Sequence, residues 1–285
     1  MEKKSLFDFD FTQESELSQD SYKLIFFDTE TTGSSADAQI IEIGAIVKDA
    51  DGNFKLYDEL CGTSRGKLIE VGAMVTHGIR NEDISELEPF DKSSFFKDLD
   101  SLNIASNYFI AHNLPFDRAR LEYYGFEARA KLIDTLQCSK HLYEIGESLG
   151  EYEYTLENYK LQTFRYTLFT KDDEIKEAKR YGVKLDAHRA IGDVVVLEMF
   201  FNKLLERLDK SLNLEQKLEK LVELSLKPVM VKRFNFGKYK GKLLSDVLDI
   251  DRGYLEWLYK DIDKKAKSGE RVDENMRATL KELVG

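Results

Sequence analysis

The sequence predicts an α/β fold followed by a small C-terminal α+β module. Apolar runs typical of strands occur at 23–27, 40–47 and 108–111, and "GNFKLYDEL" alternates like a further strand. Helical periodicity is strongest over 191–208, where apolar residues recur along one stripe. Pro228 then marks a boundary. The predicted organisation is a polar N-terminal arm at 1–20, a main domain at 21–208, a helical linker at 209–227 and a module at 228–285.

Further helices are expected between these strands and after the last of them. Asn113 is placed to be the N-cap of a helix that follows the strand at 108–111. Helical patterns also cover 135–143 and 156–168. Asn213 and Gln216 have the spacing of a capping box, which predicts the start of the linker helix.

The composition is that of an ordinary globular protein. The chain has 285 residues, of which 42% are hydrophobic, and its net charge of −11 argues against a surface that coats nucleic acid non-specifically. The two cysteines, Cys61 and Cys138, lack metal-type spacing, which favours a reducing, cytoplasmic setting over a disulfide framework. We find no signal core and no membrane-spanning segment in the sequence, so no membrane partner is expected.

Acidic residues adjoin several of the predicted elements. Asp28 and Glu30 are two residues apart on a strand, so their side chains leave the same face, where a Mg²⁺ ion would relieve their repulsion. Asp117 falls in the first turn of a helix. Asp193 lies near the start of the apolar helix at 191–208. Taken alone, the Asp28 and Glu30 pair is better explained as acids solvated at a strand end or capping the turn, and Asp117 and Asp193 are also consistent with ordinary acids at helix N-termini.

His188 precedes Asp193 by five residues. On one continuous helix this offset separates the two side chains by about 140°. They can face one site only if His188 lies in the loop before the helix and Asp193 lies on its first turns. The polar stretch "LDAHR" before the apolar stripe favours that arrangement, with a cap or surface histidine as the alternative.

Three segments together resemble a known family. "FDTETTG…IIEIGA", "AHNLPFD" and "AHRAIGD" are similar to the three exonuclease motifs of the DEDD superfamily, and "VTHGI" matches a further family segment. His188, five residues before the last Asp, resembles the DEDDh (DnaQ-like) branch. The resemblance covers about residues 21–208. It implies an RNase H-like mixed sheet flanked by helices.

The resemblance also implies a mechanism. Asp28, Glu30, Asp117 and Asp193 would hold two Mg²⁺ ions, for which Mn²⁺ is the expected substitute, and His188 would act as general base. The reaction would release 5′-mononucleotides from a 3′ end. Further positions that match nucleotide-contacting residues of the family are Thr31, Thr32, Gly33, His77 and Phe116, although packing is an equal alternative for Phe116.

The C-terminal module has the opposite charge from the rest of the chain. Residues 228–285 contain 13 Lys and Arg against 10 Asp and Glu, a net charge of +3, whereas the remainder carries −14. "FNFGKYKGKLLSDV…GYLEWLY" resembles the C-terminal domain of exodeoxyribonuclease X-like proteins. Trp257 is expected to anchor the core of the module. The predicted nucleic-acid contacts are Arg233, Lys238, Tyr239 and Lys240, with solvated lysines on a tight hairpin as the alternative.

These observations predict a 3′→5′ exodeoxyribonuclease that acts on DNA 3′ ends or single strands in repair or end processing. An exoribonuclease, with RNA as partner, keeps the same chemistry. A polymerase proofreading subunit and a catalytically silent nucleic-acid-binding scaffold are further alternatives. Intact acids and histidine count against the scaffold. The oligomeric state is left open by the sequence.

Overall fold

The computed structural model describes residues 22–185, 189–234, 236–270 and 272–285. The arm predicted at 1–20 lies outside these ranges. The chain divides into two compact units, and the boundary falls between Ser225 and Leu226. Within the described ranges, no helix is both long enough and apolar enough to cross a bilayer.

A mixed five-stranded sheet forms the centre of the first unit, as predicted. Its strands pair in the order β3-β2-β1-β4-β5. β1, β2 and β3 pair antiparallel, whereas β4 is parallel to β1 and β5 is parallel to β4. The strands are β1 (Lys23–Thr31), β2 (Ile40–Asp49), β3 (Phe54–Leu60), β4 (Tyr108–Ala111) and β5 (Lys131–Asp134).

Helices flank this sheet on both faces. A two-stranded hairpin is formed by β6 (Ser148–Leu149) and β7 (Tyr154–Thr155). The helices are α1 (Val71–His77), α2 (Asn81–Ile84), α3 (Ser94–Leu102), α4 (Leu114–Tyr123), α5 (Thr135–Leu142), α6 (Leu161–Leu168), α7 (Lys171–Tyr181), α8 (Ala190–Arg207) and α9 (Leu214–Leu226).

The α6 helix is shorter than the periodicity predicted, because the chain before it is held as a turn. Helix was expected from residue 156, but α6 begins at Leu161. The side chain of Asn158 accepts hydrogen bonds from the backbone N–H of Lys160 and from the hydroxyl of Thr163. Such local bonds from asparagine offer the backbone an alternative to the helix.

The alternation of β1 assigns its residues to two separate cores. Ile25 and Phe27 pack into one apolar cluster, with residues of α3 and α4. Phe26 packs into the other cluster, with residues of α8 such as Val194 and Phe201. Because side chains two apart on a strand share a face, Asp28 must lie on the same side as α8.

The α9 helix belongs to the core of the first unit. The predicted capping box is confirmed: Asn213 and Gln216 each accept a hydrogen bond from the other's backbone N–H, at 2.9 and 3.0 Å respectively. Leu218 and Leu221 are fully buried in the cluster that contains the α8 side chains. The segment expected as a linker is therefore a packed helix.

The second unit, Leu226–Gly285, has its own apolar core. It contains α10 (Leu244–Ile250), α11 (Arg252–Lys267) and α12 (Glu274–Val284). The extended chain before α10 forms an antiparallel bridge between Arg233 and Leu243. The buried core residues are Phe234, Leu244, Val247, Leu255, Leu258, Met276 and Leu280.

Candidate active site

Two acids project from the central strand toward α8. Asp28 and Glu30 both lie within β1, which continues to Thr31, and both are half-buried. Across the antiparallel pair, Asp28 is opposite Gly44 and Glu30 is opposite Glu42. On this face of the strand pair, four neighbouring positions therefore hold three carboxylates, of Asp28, Glu30 and Glu42, and one glycine, Gly44.

Gly44 gives the start of α8 room to approach this face. A Cβ atom at Gly44 would lie 2.4 Å from the carbonyl carbon of Ala190 and 2.4 Å from the backbone nitrogen of Ile191. Real Cβ atoms do not approach backbone atoms so closely, so only glycine permits this contact. The first turn of α8 therefore lies directly on the strand pair, and Asp193 is in that turn.

The approach of α8 brings three carboxylates together. Asp28, Glu30 and Asp193 can each offer one oxygen such that all three oxygens lie within 4.8 Å of one another. Carboxylate oxygens at this density are the donor set that hard divalent cations take. The three residues fit a divalent metal ion.

Asp117 is the fourth predicted acid, and it is 2% exposed in the first turn of α4. One of its oxygens accepts hydrogen bonds from the backbone N–H of Thr29, at 3.2 Å, and from the Thr29 hydroxyl, at 2.7 Å. Thr29 lies on β1 between the two acids of that strand. Asp117 is thus tied directly to the strand that carries Asp28 and Glu30.

The turn that leads into α4 is held differently from the prediction. Asn113 is the N-cap residue, as expected, but it has a φ of 73° and its side chain makes no capping bond. Its N–H instead donates to the carboxylate of Asp134, at 3.0 Å. His112, the residue before Asn113, contacts the Thr135 hydroxyl and the Tyr159 carbonyl.

Burial raises the pKa values of these acids, and for Asp28 and Glu30 the neighbouring carboxylates raise them further. For Asp28, burial and the charge of Asp117 raise the pKa well above the usual value for aspartate. Burial and the charge of Asp193 raise the pKa of Glu30 to about 8. Burial raises the pKa of Asp117 to about 7, against the lowering effect of the Thr29 hydrogen bonds. A bound cation would oppose these shifts, because it favours the ionised carboxylates.

His188 lies outside the described residues. The chain is described again from Arg189, which is the N-cap residue of α8. Glu42, which is fully buried, accepts a 2.6 Å hydrogen bond from Arg189 Nε and a 3.1 Å bond from the backbone N–H of Ala190. Glu42 therefore anchors the start of α8, which carries Asp193, to the strand next to β1.

Gln162 is a second supporting residue that the sequence did not single out. Its side-chain amide, on α6, donates a 2.6 Å hydrogen bond to the Asp193 carboxylate. Sequence signals did exist for both supporting residues: Glu42 lies in "IIEIGA" and Gln162 in "YKLQTFRY". Neither signal indicated which acid the residue would contact, because that depends on strand register and helix packing.

The turn after β1 is braced by residues predicted to contact a nucleotide. Thr32 is fully buried, and its N–H and carbonyl bond to Gln39 and Glu70. His77 Nδ1 accepts the N–H of Ile79 at 3.0 Å, and its Nε2 lies 3.3 Å from the carbonyl of Thr31. His77 is only 6% exposed, so it supports the turn from the protein interior.

The remaining members of that predicted set lie nearby. The carbonyl of Gly33 accepts the hydroxyl of Thr31 at 2.7 Å. Phe116 is half-buried on α4, with the guanidinium of Arg120 at 5.0 Å from its ring centroid. Arg120 also donates to the carbonyl of Ser34, at 3.3 Å. These contacts connect the turn after β1 to α4, the helix that carries Asp117.

In the second unit, three of the four predicted nucleic-acid contacts have partners within the protein. Lys238 and Tyr239 both bond to the Asp251 carboxylate, at 2.8 and 2.6 Å. Arg233 donates to the Gly241 carbonyl at 3.0 Å. Lys240 is exposed. The hydrogen bonds to Asp251 and Gly241 hold these side chains in place, and the side chain of Lys238 remains 57% exposed.

The expectation for Trp257 was wrong. The indole is 59% exposed, and the core of the second unit is formed without it. On α11, Leu255 and Leu258 point into that core. A residue two positions after Leu255 is rotated by about 200° around a helix, which puts Trp257 on another side.

Comparison with known families identifies the first unit. The family model described as Exonuclease matches residues 25–198, the range that contains β1, α4 and α8 with their acids. The chain belongs to this exonuclease family. It is a nuclease, and family membership implies dependence on divalent metal ions, for which the acidic cluster is the candidate site. A second model, described as Exodeoxyribonuclease X-like C-terminal, matches residues 234–263.

Individual relatives agree with this assignment. Exodeoxyribonuclease 10 of Escherichia coli K12 is 26% identical over 262 residues, which cover 92% of this exonuclease and 98% of the relative. The PolC-type DNA polymerase III of Caldanaerobacter subterraneus is 31% identical over 208 residues, which cover 70% of this chain and 13% of that one. Exonuclease I of E. coli in complex with a dT13 oligonucleotide has the same fold, with a TM-score of 0.50 and 18% identity over 65% of this chain and 41% of that chain.

Proposed function

We propose that this exonuclease is a Mg²⁺-dependent 3′→5′ exodeoxyribonuclease that releases 5′-mononucleotides from DNA ends in repair or end processing. The carrying observation is the convergence of Asp28, Glu30 and Asp193, with their oxygens within 4.8 Å, beside the buried Asp117. DNA as substrate is supported by the likeness to exodeoxyribonuclease 10 along nearly the whole of both chains.

The acids of the cluster would hold the divalent ions, and the ions would in turn bind the terminal phosphate. Asp28 is central, because its pKa responds to the charges of Asp117, Glu30 and Asp193 together. Asp28 would therefore hold metal together with the neighbouring carboxylates of Glu30 and Asp193. Two divalent ions, when bound, supply activation of the attacking water and stabilisation of the leaving oxygen.

His188 is the residue proposed to remove a proton from the attacking water. It precedes the N-cap residue of α8 by one position in the sequence. Glu42 holds that N-cap residue, Arg189, against β2. Imidazole suits this role because its ordinary pKa lies near neutrality.

The second unit is proposed to bind the DNA strand. Its segment 232–242 carries Lys232, Arg233, Lys238, Lys240 and Lys242 without an acid. Such a cluster attracts phosphates in a salt-dependent manner. We propose that Lys240 contacts phosphate directly, and that Arg233, Lys238 and Tyr239 also present their groups to the strand.

The test is a gel time course on matched DNA and RNA oligonucleotides, each labelled at the 5′ end or at the 3′ end. Reactions contain Mg²⁺, Mn²⁺ or EDTA. The Asp28→Ala protein is run beside Asp58→Ala, which removes an exposed acid from β3, two strands away in the same sheet, as a matched control. We expect 5′-labelled DNA to shorten progressively in either metal, and 3′-labelled DNA to release its label in the first step.

The outcomes separate the components of the proposal. Activity that survives in Asp28→Ala or in EDTA would refute the metal cluster. Faster hydrolysis of RNA than of DNA would replace the exodeoxyribonuclease with an exoribonuclease. Progressive shortening of 3′-labelled strands would reverse the direction. Binding without hydrolysis on every substrate would support a silent scaffold.

A further inference from the structure

The second unit exposes its largest aromatic side chain on α11. Trp257 is 59% exposed, and its ring lies 5.8 Å from that of Tyr254, one turn earlier on the helix. The ring planes differ by 34°, so the two rings are tilted rather than perpendicular. Single exposed apolar residues are common on proteins, so the surroundings of the indole decide its significance.

The indole is the end of a continuous row of aromatic rings. Tyr254 lies 5.1 Å from Tyr239 and 6.0 Å from Phe234, centroid to centroid. Phe234 in turn lies 5.9 Å from Phe236, which is 39% exposed. Phe234 is buried and Tyr239 and Tyr254 are partly buried against it, so Trp257 stands on a packed aromatic support.

Two lysine side chains belong to the same part of the second unit as this row of aromatic rings. The ammonium of Lys238 lies 4.9 Å from the Tyr254 ring centroid and 4.7 Å from that of Tyr239. Lys260, one turn after Trp257 on α11, is exposed. Lys260 therefore adds positive charge one turn from the indole, and Lys238, although it pairs with Asp251, keeps a largely exposed ammonium next to the aromatic faces.

The acids near the indole are neutralised within the protein. Asp251 pairs with Lys238 at 2.8 Å, and Glu256 pairs with Arg252 at 2.9 Å. On the following turn, Asp261 pairs with Lys265 at 2.7 Å. Repulsion of a phosphate backbone from this face is correspondingly weak.

We propose that Trp257 and Tyr254 form a stacking face for an unpaired DNA base, with Lys238 and Lys260 beside its phosphates. Aromatic faces interleaved with cations are the arrangement that holds single strands without reading their sequence. The inference rests on the proposed function, because it assumes that the second unit binds the DNA strand. It adds Trp257, Tyr254 and Lys260, which were not among the nucleic-acid contacts predicted from the sequence.

The chain contains one tryptophan, which makes the test direct. The emission of Trp257 is followed in the full-length Asp28→Ala protein in EDTA, so that no strand is hydrolysed. Single-stranded dT15 is titrated in, with a blunt 15-base-pair duplex as comparison. We expect saturable quenching by dT15 and little quenching by the duplex, whose bases are already stacked.

Variants separate stacking from charge. Anisotropy of a labelled dT15 should show about 5- to 150-fold weaker binding by Trp257→Ala, the range that corresponds to the loss of one stacked base. Trp257→Phe should retain most of the affinity, and Trp257→Leu should not. The dependence of binding on salt should be unchanged in Trp257→Ala, because a neutral ring releases no counterions, and shallower in Lys260→Ala.

Several results would overturn the inference. Unquenched emission with unchanged affinity of Trp257→Ala would show that no base stacks there. An indole shielded from acrylamide before DNA is added would show that a protein surface, such as a second copy of the chain, covers it. Equal quenching by the blunt duplex would rule out stacking of an unpaired base. Hydrolysis of DNA by Trp257→Ala at saturating substrate is the separate readout of the proposed function, so either can fail without the other.

Discussion

Glu30→Gln should stabilise the metal-free protein at neutral pH. The pKa of Glu30 is raised from 4.5 to about 8 in the folded state, first by burial and next by the charge of Asp193. Below pH 4.5 the carboxyl is protonated in both the folded and the unfolded chain, so it has no effect on stability. As the pH rises from 4.5 to about 8, the unfolded chain loses a proton that the folded chain keeps, and the free energy of unfolding falls.

The magnitude follows from the size of this shift. At about 1.4 kcal/mol for each pH unit above 4.5, the loss reaches about 3 kcal/mol at pH 7 and about 5 kcal/mol above pH 8. Because Glu30 is half-buried, water screens part of the interaction and these figures are upper limits. Glutamine removes the charge and nearly keeps the shape. We therefore expect Glu30→Gln to gain about 1–3 kcal/mol over the wild type at pH 7 and almost nothing at pH 4.5.

Saturating metal should reduce the stability advantage of Glu30→Gln over the wild type. An ion that binds only the folded state adds about 2.7 kcal/mol at a concentration 100 times its Kd. The wild type should gain this stability in saturating Mg²⁺, whereas Glu30→Gln, which lacks one of the three converging carboxylates, should gain less. The assay is urea unfolding at pH 4.5, 7 and 8.5, in EDTA and in Mg²⁺.

The control is Asp58→Asn, which removes an exposed acid of the same sheet. It should change stability little at any of these pH values and should keep the Mg²⁺ response. A Glu30→Gln protein whose stability difference from the wild type is the same at pH 4.5 and pH 7 would refute the argument. The carboxylates would then not repel one another in the folded state.

Three further changes test how the cluster is positioned. Gly44→Ala should displace the first turn of α8, so that both Tm and Mg²⁺ affinity fall, as measured by calorimetry and metal titration; an unchanged affinity would contradict the close approach. Glu42→Gln should lower the free energy of unfolding by roughly 1–3 kcal/mol, because Arg189 loses a charged hydrogen bond, and urea unfolding measures this. Gln162→Leu should weaken Mg²⁺ binding by about 10- to 100-fold, since the Asp193 carboxylate loses its orienting bond, with normal affinity as the contrary result.

The acids of the site could be found from the sequence because each lies at a fixed place in a regular element. Asp28 and Glu30 had to share a face as soon as their segment formed a strand. The strand alternation that sends Phe26 into the α8 core then determines which face it is. Local pattern and packing therefore agree for these two residues.

Residues whose roles depend on contacts between distant segments could not be placed in the same way. Gln162 meets Asp193 from another helix, and the helix itself starts later than its periodicity predicted. Trp257 was assigned to a core because large aromatic residues usually are buried, although its angular position relative to Leu255 and Leu258 already placed it elsewhere on α11. Helical phase was the better guide than residue type in that case.

The position of α8 is set by β2 more than by α8 itself. Glu42 and Gly44 lie two apart on that strand, and they pair with Glu30 and Asp28 respectively. The carboxylate of Glu42 accepts a hydrogen bond from the start of the helix. Gly44 has no side chain and therefore leaves room for the helix to approach. A carboxylate at a helix N-terminus is also favoured by the helix dipole. The segment "IIEIGA" on β2 therefore positions Asp193, a residue about 150 positions later in the chain, so the candidate metal site on β1 depends on the sequence of the neighbouring strand.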